Sequence, residues 1–347
     1  MFLIAGLLSL AAVGSVVMMG DEDTSSIDDE SQPVEGTEED LGPIEPITAI
    51  LPSTDPDEPE ETPATGETDG TPTNPQTGGT ILVGDAADND MTGTDDNDQI
   101  NGYGGQDTLS GGLGDDAMHG ADGHDLLNGG AGDDLLHGEA GNDNLQGDGG
   151  NDSLFGHYGA DQMNGGDGQD SMHGGQDNDT LDGGAGNDAV HGNHGDDLLR
   201  GGAGQDTLFG GQGNDLITGA DDGTTGSQAT DFLNGGEGLD TIIAGAGDIV
   251  TTGAGADTIV LGDWVIQGEA ADVMDFESGE DKLLIGWDTD SDPNPEIDIE
   301  QDPQNPNVTR VSINGEEIAT LLGSGAVLPS DIVLMNESDI PALAMAG

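Results

Sequence analysis

The sequence predicts an all-β fold, a right-handed parallel β-roll in which short strands stack into a solenoid, and three observations predict it. From Gly84 to Thr218 the chain consists of fifteen consecutive nonapeptides without an insertion. Position one is Gly and position eight is apolar in all fifteen, while position six is Asp in fourteen, the first block having Asn89. A strict period of nine with one inward apolar side chain indicates a strand of about three residues and a turn of about six in each block.

The glycines explain how each turn closes. The block GGAGNDAVH at Gly183–His191 is typical, with Gly at positions one, two and four. Gly at these positions permits positive φ, so a six-residue turn can close with its carbonyl oxygens directed inward. Two blocks make one coil of about 18 residues. Successive coils should stack at about 4.8 Å, the spacing of hydrogen-bonded strands.

The charge of the chain points to a cation as its partner. Asp and Glu number 72 against three basic residues, Arg200, Lys282 and Arg310, giving a formal charge of −69. Nucleic acid is excluded as a direct partner, and an anionic membrane surface is disfavoured, because no basic patch can meet phosphates. Carboxylate-rich chains suit hard ions such as Ca²⁺. The chain has no Cys, which rules out disulfides and thiolate metal sites.

The position-six carboxylates should form columns that need this cation. Ca²⁺ takes six to eight oxygens at about 2.3–2.6 Å, and two adjacent turns can supply carbonyls and two Asp carboxylates. One apolar side chain per block buries too little surface to offset a backbone entropy of roughly 1–2 kcal/mol per residue. Metal binding therefore has to supply much of the folding free energy, with on the order of one ion per nonapeptide. The predicted metal ligands are Asp98, Asp107, Asp116, Asp125, Asp134, Asp143, Asp152, Asp161, Asp170, Asp179, Asp188, Asp197, Asp206, Asp215, Asp231, Asp240 and Asp257.

Blocks such as GGAGQDTLF at Gly201–Phe209 closely resemble the RTX (repeats-in-toxin) family of hemolysin-type calcium-binding proteins, over residues 84–260. The resemblance implies that the position-six carboxylates and the loop carbonyls bind Ca²⁺. It also implies export by type I secretion machinery through an uncleaved C-terminal signal, and folding outside the cell after an unfolded state in low cytosolic calcium. Asn89 at position six, and Ala87, Asp96 and Asp177 at position four, depart from the pattern and predict weaker or different binding.

The regular spacing ends before the chain does. A seven-residue insertion lies within Gly219–Asn234. Degenerate blocks follow it until the nine-residue period ends near Trp264. Residues 80–260 are therefore assigned to the calcium-binding β-roll. Residues 261–347 are assigned to a β-rich C-terminal cap and secretion region, because they hold both Trp and a denser apolar content that suggests a small β domain with a conventional core.

Four strands are predicted within the cap. Asp272–Phe276 and Lys282–Ile285 have strand composition. Val308–Ile313 and Glu317–Leu322 flank Asn314-Gly315, the strongest short hairpin signal.

The N-terminal region leaves the localisation open. Residues 1–19 carry no charge and, at about 1.5 Å per helical residue, would nearly cross a bilayer core of about 30 Å. An uncleaved anchor, a cleaved signal peptide and a segment with neither role all remain, since there is no basic n-region and no clear Ala-x-Ala site. Residues 20–79 are acidic and Pro-rich, which predicts a disordered linker. The repeats are expected outside the cell, either secreted or anchored through residues 1–19.

No sequence motif indicates catalysis. His-Glu-x-x-His and Gly-x-Ser-x-Gly are both absent, and there is no Cys nucleophile. The sequence therefore predicts a calcium-binding protein without enzymatic activity, extracellular or on a surface, and structural or adhesive. The alternative is an accessory portion of an exported hydrolase or toxin.

One outer face of the roll should carry imidazole and phenyl rings. Position nine of alternate blocks is occupied by His119, His137, Phe155, His173, His191 and Phe209. The opposite face is mainly polar, with Ser110, Asn128, Gln146, Asn164, Asp182, Arg200 and Thr218. The rings are interpreted either as outward residues at a permissive position or as a face that binds a ligand or partner.

Overall fold

The protein is described by a computed structural model that covers residues 78–219, 229–262, 269–287, 292–324 and 326–336. The secondary structure of these residues is all β. The predicted hydrophobic segment 1–19 and nearly all of the predicted linker 20–79 lie outside them. Within the described ranges no helix is long and apolar enough to cross a membrane.

The described residues form strands of three to nine residues. In chain order they are β1 (Ile81–Val83), β2 (Asp90–Thr92), β3 (Gln99–Gly105), β4 (Thr108–Leu113), β5 (Ala117–Gly123), β6 (Leu126–Ala131), β7 (Leu135–Ala140), β8 (Asn144–Gly149), β9 (Ser153–Tyr158), β10 (Gln162–Asp167), β11 (Ser171–Gln176), β12 (Thr180–Ala185), β13 (Ala189–His194), β14 (Leu198–Ala203), β15 (Thr207–Gln212), β16 (Leu216–Thr218), β17 (Phe232–Gly238), β18 (Thr241–Ile243), β19 (Ile249–Gly255), β20 (Thr258–Leu261), β21 (Ala271–Glu277), β22 (Lys282–Trp287), β23 (Ile297–Gln301), β24 (Val308–Ile313), β25 (Glu316–Ser324) and β26 (Ile332–Asn336).

The strands alternate between two sheets. Sheet one contains the odd-numbered strands from β1 to β21, followed by β25, β24 and β23. Sheet two contains the even-numbered strands from β2 to β22, followed by β26. Within the array, neighbouring strands are parallel and their paired residues are 18 apart, as in Met172 with Val190. Two nonapeptides therefore make one coil, and the predicted parallel β-roll is confirmed.

The core is a ladder of position-eight side chains. From Ile100 to Ile217 each of them is at most 3% exposed, and the ladder continues through Leu233, Ile242 and Val250. The ladder has one such residue per block because flanking strand residues point outward. The narrow core agrees with the expectation that apolar burial alone does not hold the array together.

The interruption after the fifteenth block leaves the stacking intact. Phe209 pairs with Asn234, 25 residues later, in parallel strands β15 and β17. The excess over 18 equals the seven-residue insertion predicted from the sequence. The insertion therefore extends one connection without shifting the inward and outward sides of the following strands.

The C-terminal residues continue both sheets. Strand β21 pairs in parallel with β19, and β22 pairs in parallel with β20. The predicted hairpin is present between β24 and β25, with Asn314 at φ 51° and Gly315 at φ 85°. Val273, Phe276 and Leu321 belong to the same buried cluster as the array. The apolar side chains of this region thus extend the core of the roll, and the boundary drawn between residues 260 and 261 stays a prediction.

Positive φ is confined to positions two and four of the turn. Gly112 at position two has φ 117° and Gly114 at position four has φ 100°, whereas position-one glycines such as Gly165 do not adopt positive φ. The expectation that position one needs Gly for its backbone conformation is wrong. The reason is space, because a Cβ added to Gly165 would lie 2.3 Å from Oδ2 of Asp170.

From the third block onward, position two keeps positive φ even where it is not Gly. In six blocks another residue occupies it with φ between 69° and 79°, namely Tyr103, Ala121, Glu139, Asp148, His157 and Asn193. A left-handed conformation costs a non-Gly residue roughly 1–2 kcal/mol. The stacked coils therefore impose the turn on these residues.

Replacing Ala121 by Gly is expected to stabilise the calcium-loaded protein by about 1 kcal/mol, because it relieves φ 78° at position two. The melting temperature should rise by about 2–4 °C. The matched control is Ala131→Gly, at position three without positive φ, which should lower the melting temperature. If both variants shifted it in the same direction, the strain assigned to position two would be refuted.

Candidate calcium-binding columns

The predicted Asp ligands lie in two buried columns. Each of them is at most 3% exposed. Because alternate blocks belong to alternate sheets, one column runs along each edge of the roll. Column one contains Asp98, Asp116, Asp134, Asp152, Asp170, Asp188, Asp206 and Asp231. Column two contains Asp107, Asp125, Asp143, Asp161, Asp179, Asp197, Asp215, Asp240 and Asp257.

One oxygen of each carboxylate is bound by the preceding coil. The backbone N–H of Asp152 donates to Oδ1 of Asp170 at 2.8 Å, and the N–H of Asp170 donates to Oδ1 of Asp188 at 2.9 Å. The same bond recurs along both columns. It holds every carboxylate in one orientation, so that Oδ2 is directed into the turn beside position one.

The second oxygen has no protein partner in most blocks. Among the described residues, this buried Oδ2 accepts no hydrogen bond in Asp107, Asp116, Asp125, Asp134, Asp143, Asp152, Asp161, Asp170, Asp179, Asp188, Asp197, Asp215, Asp240 and Asp257. Burying a carboxylate oxygen without a partner is costly, and such oxygens in a native fold require an explanation. A series of such oxygens at equivalent positions is expected if a cation binds beside each of them.

A backbone carbonyl faces the same space as this carboxylate oxygen. A Cβ on Gly165 would lie 2.3 Å from Oδ2 of Asp170 and 2.6 Å from the carbonyl oxygen of Gly183 in the following coil. A Cβ on Gly147 would lie 2.3 Å from Oδ2 of Asp152 and 2.5 Å from the carbonyl oxygen of Gly165. The two oxygens thus converge on the open space beside position one, and oxygen atoms are the ligands that Ca²⁺ takes. The residues therefore fit a calcium ion, and position one has to be Gly to leave this space open.

Side chains alone do not complete such a site. No three His, Asp or Glu side chains converge closely enough to hold a metal in the described part of the chain. Ca²⁺ accepts backbone carbonyls among its six to eight oxygens. Carbonyl oxygens of the turns would therefore complete the coordination by the Asp carboxylates.

Burial raises the pKa of many of the column carboxylates, including Asp134, Asp161 and Asp179. It brings the pKa of Asp134 to about 7, that of Asp161 to about 7 and that of Asp179 to about 8, and neighbouring Asp charges add to the rise. A hydrogen bond from the preceding coil opposes the rise in each case. In the metal-free fold these carboxyls therefore hold protons near neutral pH, and calcium has to displace them.

The metal-free chain should gain β structure on acidification. Its folded-state carboxyl pKa values of about 6 to 8 lie above the unfolded value of about 3.9, so the folded state binds more protons between these limits. The stability of the metal-free fold is then fully present below about pH 4 and lost as pH rises through about 6 to 8. Far-UV circular dichroism of the calcium-free protein between about pH 8 and pH 4 measures this. A β signal that grows with rising pH would contradict it.

Two residues, Asp248 and Asp281, extend the columns and are missed by a search at a spacing of nine. The N–H of Asp231 donates to Oδ1 of Asp248 at 3.0 Å, and the N–H of Asp257 donates to Oδ1 of Asp281 at 3.1 Å. Asp248 and Asp281 are each 1% exposed. Both are followed two residues later by a buried apolar side chain, so the Asp-x-apolar pattern could have identified them where the spacing of nine fails.

The C-terminal end of the roll satisfies its carboxylates with protein groups. The N–H groups of Thr252 and Gly253 donate to Asp275 at 2.7 and 3.1 Å. Asp331 accepts from Nζ of Lys282 at 3.1 Å and from Oγ of Ser278 at 2.7 Å. Burial of Asp331 opposes its ionisation, but these partners lower its pKa. The last coil therefore ends the columns without requiring a metal at Asp331.

Most departures from the repeat lie in the first coil. Ala87 and Asp96 at position four do not adopt positive φ, whereas Asp177, within the array, has φ 73°. Asn89 takes the column position, because its N–H donates to Oδ1 of Asp107 at 2.7 Å. The weaker binding expected of these blocks stays a prediction.

The predicted ring face is present on sheet one. The six rings of His119, His137, Phe155, His173, His191 and Phe209 stack in sequence, with successive centroids 4.8–5.2 Å apart. Burial lowers the pKa of His137, His173 and His191, so these rings are neutral at pH 7 and stack without charge repulsion. The polar residues from Ser110 to Thr218 pair along sheet two, which confirms the second face.

The family model of the RTX calcium-binding nonapeptide repeat, which describes four copies, matches the chain at residues 83–118, 119–154, 137–172, 155–190, 191–223 and 225–259. The chain belongs to this RTX family. The repeats of the family bind calcium, and the matched ranges contain both carboxylate columns from Asp98 to Asp257. Calcium binding is thus the function that the sequence family and the buried columns share.

Comparison with individual proteins adds no functional detail to the RTX assignment. No curated protein sequence matches the chain. Among solved structures, the extracellular lipase LipA from Serratia marcescens is similar to this chain. The two are 15% identical over 66% of this chain and 45% of the lipase, with a TM-score of 0.19. The chain thus spans less than half of the lipase, and a similarity at this score carries no argument about activity.

Proposed function

We propose that this RTX chain is a non-catalytic extracellular protein, structural or adhesive, whose array folds when Ca²⁺ enters the two carboxylate columns. The observation that carries the proposal is the repeated buried Oδ2 without a protein partner. Stacked coils place successive carboxylates about 4.8 Å apart, and such a column repels itself until cations separate the charges.

The charge balance supports many ions per chain. With on the order of one ion per nonapeptide, about fifteen Ca²⁺ would add about +30 to the formal charge of −69. The loaded protein would remain acidic, which favours solubility and disfavours contact with nucleic acid or anionic lipid. The ligands of these ions are the position-six carboxylates together with turn carbonyls.

The export route that the RTX resemblance implies is compatible with the same physics. In low calcium the array cannot neutralise its columns, so the chain would pass unfolded through type I secretion machinery and fold outside the cell. Release into the medium and attachment through residues 1–19 are both compatible with this function. The lack of a catalytic motif in the sequence supports a structural or adhesive role over an accessory part of a hydrolase or toxin.

Far-UV circular dichroism of the full chain at about pH 8 tests the folding step. With EGTA the array should lack β signal, and millimolar Ca²⁺ should restore it cooperatively, because metal binding supplies the folding free energy. Mg²⁺ is the matched control, since it prefers six ligands at about 2.0–2.1 Å and should fail to substitute. A β-roll that is complete in EGTA would contradict the proposal.

A panel of ester, peptide and glycoside substrates tests the absence of catalysis. The calcium-loaded protein should turn over none of them. Turnover that disappears on calcium removal would favour the hydrolase alternative instead.

A further inference from the structure

A second group of metal-binding side chains lies on the outer face of sheet one. It consists of His119, His137, Glu139 and His157, which we call the imidazole cluster. Nδ1 of His137 lies 2.9 Å from Nε2 of His157, and Nδ1 of His119 lies 3.1 Å from Oε1 of Glu139. The rings of His119 and His137 are stacked, with centroids 4.8 Å apart and planes inclined by 3°. Four groups able to bind a metal or orient a ligand are thus neighbours.

Three adjacent strands fix the cluster. His119 and His137 are paired across β5 and β7, and Glu139 and His157 are paired across β7 and β9. Glu139 and His157 both occupy position two with φ 78°. The cluster therefore stands on hydrogen-bonded strands, which position ligands better than loops do.

We propose that the imidazole cluster binds one borderline divalent transition-metal ion, with Zn²⁺ as its representative, in addition to the calcium of the columns. Imidazole nitrogens suit Zn²⁺, Cu²⁺ and Ni²⁺, whereas Ca²⁺ takes oxygen ligands. His137 and His157 supply two nitrogens, the Glu139 carboxylate supplies the third ligand, and water supplies the fourth. In the ion-free cluster Nδ1 of His119 holds the Glu139 carboxylate beside the two imidazoles, and the carboxylate leaves His119 to join the ion.

As the side chains stand in the described part of the chain, no three of them converge closely enough to hold an ion, so metal binding requires the imidazole cluster to rearrange. Two nitrogens on a tetrahedral Zn²⁺ with bonds of about 2.0–2.1 Å are about 3.3 Å apart. His137 and His157 therefore have to separate their nitrogens by about 0.4 Å. Glu139 has a side chain that is 48% exposed, so it can rotate toward the two imidazoles without displacing packed neighbours. The exposed side chains of His157 and Glu139 leave the site open to ions from solvent.

The same face offers an internal comparison. His173 and His191 stack at the same 4.8 Å separation. The residue 20 positions after His173 is Asn193, and the residue 20 positions after His191 is Gly211. This second pair therefore lacks the diagonal imidazole or carboxylate that His119 and His137 have. Stacking alone thus does not create the site, and the diagonal partner distinguishes the two pairs.

Zinc binding to the full-length protein, saturated with Ca²⁺ so that its carboxylates are occupied, tests the proposal. Isothermal titration with Zn²⁺ should show one tight site per chain, and Co²⁺ in its place should give the visible absorption of a tetrahedral site. His137→Asn and His157→Asn should each weaken Zn²⁺ binding by at least about 100-fold, since losing even an outer partner of a metal site costs about 10–100-fold. Asn is a matched replacement because Asn193 already occupies position two at φ 79°, the position of His157, and Asn101 occupies position nine, the position of His137.

The control variant is His173→Asn, which should leave the tight site unchanged. Circular dichroism in Ca²⁺ would establish that each variant still forms the roll, which separates failure of the zinc site from failure of calcium-dependent folding. Equal Zn²⁺ affinity in the wild type, His137→Asn and His157→Asn would overturn the proposal. So would an equal loss in His173→Asn, because it would indicate binding along the whole ring face.

Discussion

Gly165→Ala is expected to destabilise the calcium-loaded roll by about 3 kcal/mol, the upper end of the usual cost of overpacking, and to remove calcium from the adjoining turn. The added methyl would lie 2.3 Å from Oδ2 of Asp170 and 2.6 Å from the carbonyl oxygen of Gly183. Both atoms belong to stacked coils, so neither can retreat without breaking the strand register. The methyl would also fill the space in which the two oxygens meet the ion.

The matched control is Gly149→Ala, at position three of the same solenoid. Its added methyl would meet only the carbonyl oxygen of Gly130, at 4.0 Å, and Gly149 does not have positive φ. The change in stability should stay within about 0.5 kcal/mol. Urea unfolding at fixed Ca²⁺ measures both variants. Equal stability of the two would show that position one does not need to be Gly for space.

Asp179→Asn is expected to have opposite effects with and without calcium. Burial raises the pKa of Asp179 to about 8, so the metal-free fold disfavours its charge. An amide would keep the acceptor for the N–H of Asp161, and its uncharged NH2 group would border the same space beside Gly174 as the carbonyl oxygen of Gly192. The metal-free fold should therefore become more stable. The midpoint of calcium-induced folding should nevertheless rise roughly tenfold, because calcium affinity depends on the charge of its ligands.

Asp167→Asn is the control for this variant. Asp167 is exposed at position three, outside both columns. The same loss of one formal charge should leave the calcium midpoint nearly unchanged. Calcium titrations followed by circular dichroism compare the three proteins. If Asp167→Asn shifted the midpoint as much as Asp179→Asn, general charge repulsion rather than ligation would explain the columns.

Much of the fold could be predicted because the period of nine determines which side chains point inward. Position-eight residues such as Leu181 form the core, and position-six residues such as Asp179 form the columns. The hairpin at Asn314-Gly315 could be predicted from local turn chemistry alone. These features depend on sequence patterns that extend over only a few residues.

Other features depend on contacts with the neighbouring coil, so the spacing of residues in the sequence could not predict them. The need for Gly at position one arises in part from atoms 18 residues away in sequence, as where the carbonyl oxygen of Gly183 limits the space at Gly165. His157 adopts positive φ because stacking overrides the preference of its side chain. Asp248 and Asp281 join the columns although the spacing of nine has ended.

Hydrogen–deuterium exchange of the full chain, read peptide by peptide by mass spectrometry, tests most directly the claim that calcium folds the array. In Ca²⁺ the amides between Gly84 and Thr218 should be protected, because each coil is hydrogen-bonded to its neighbours. In EGTA at about pH 8 the same peptides should exchange at the rate of an unstructured chain, since the buried carboxylates then lack a counter-ion. Protection of these peptides that is equal in EGTA and in Ca²⁺ would contradict the account.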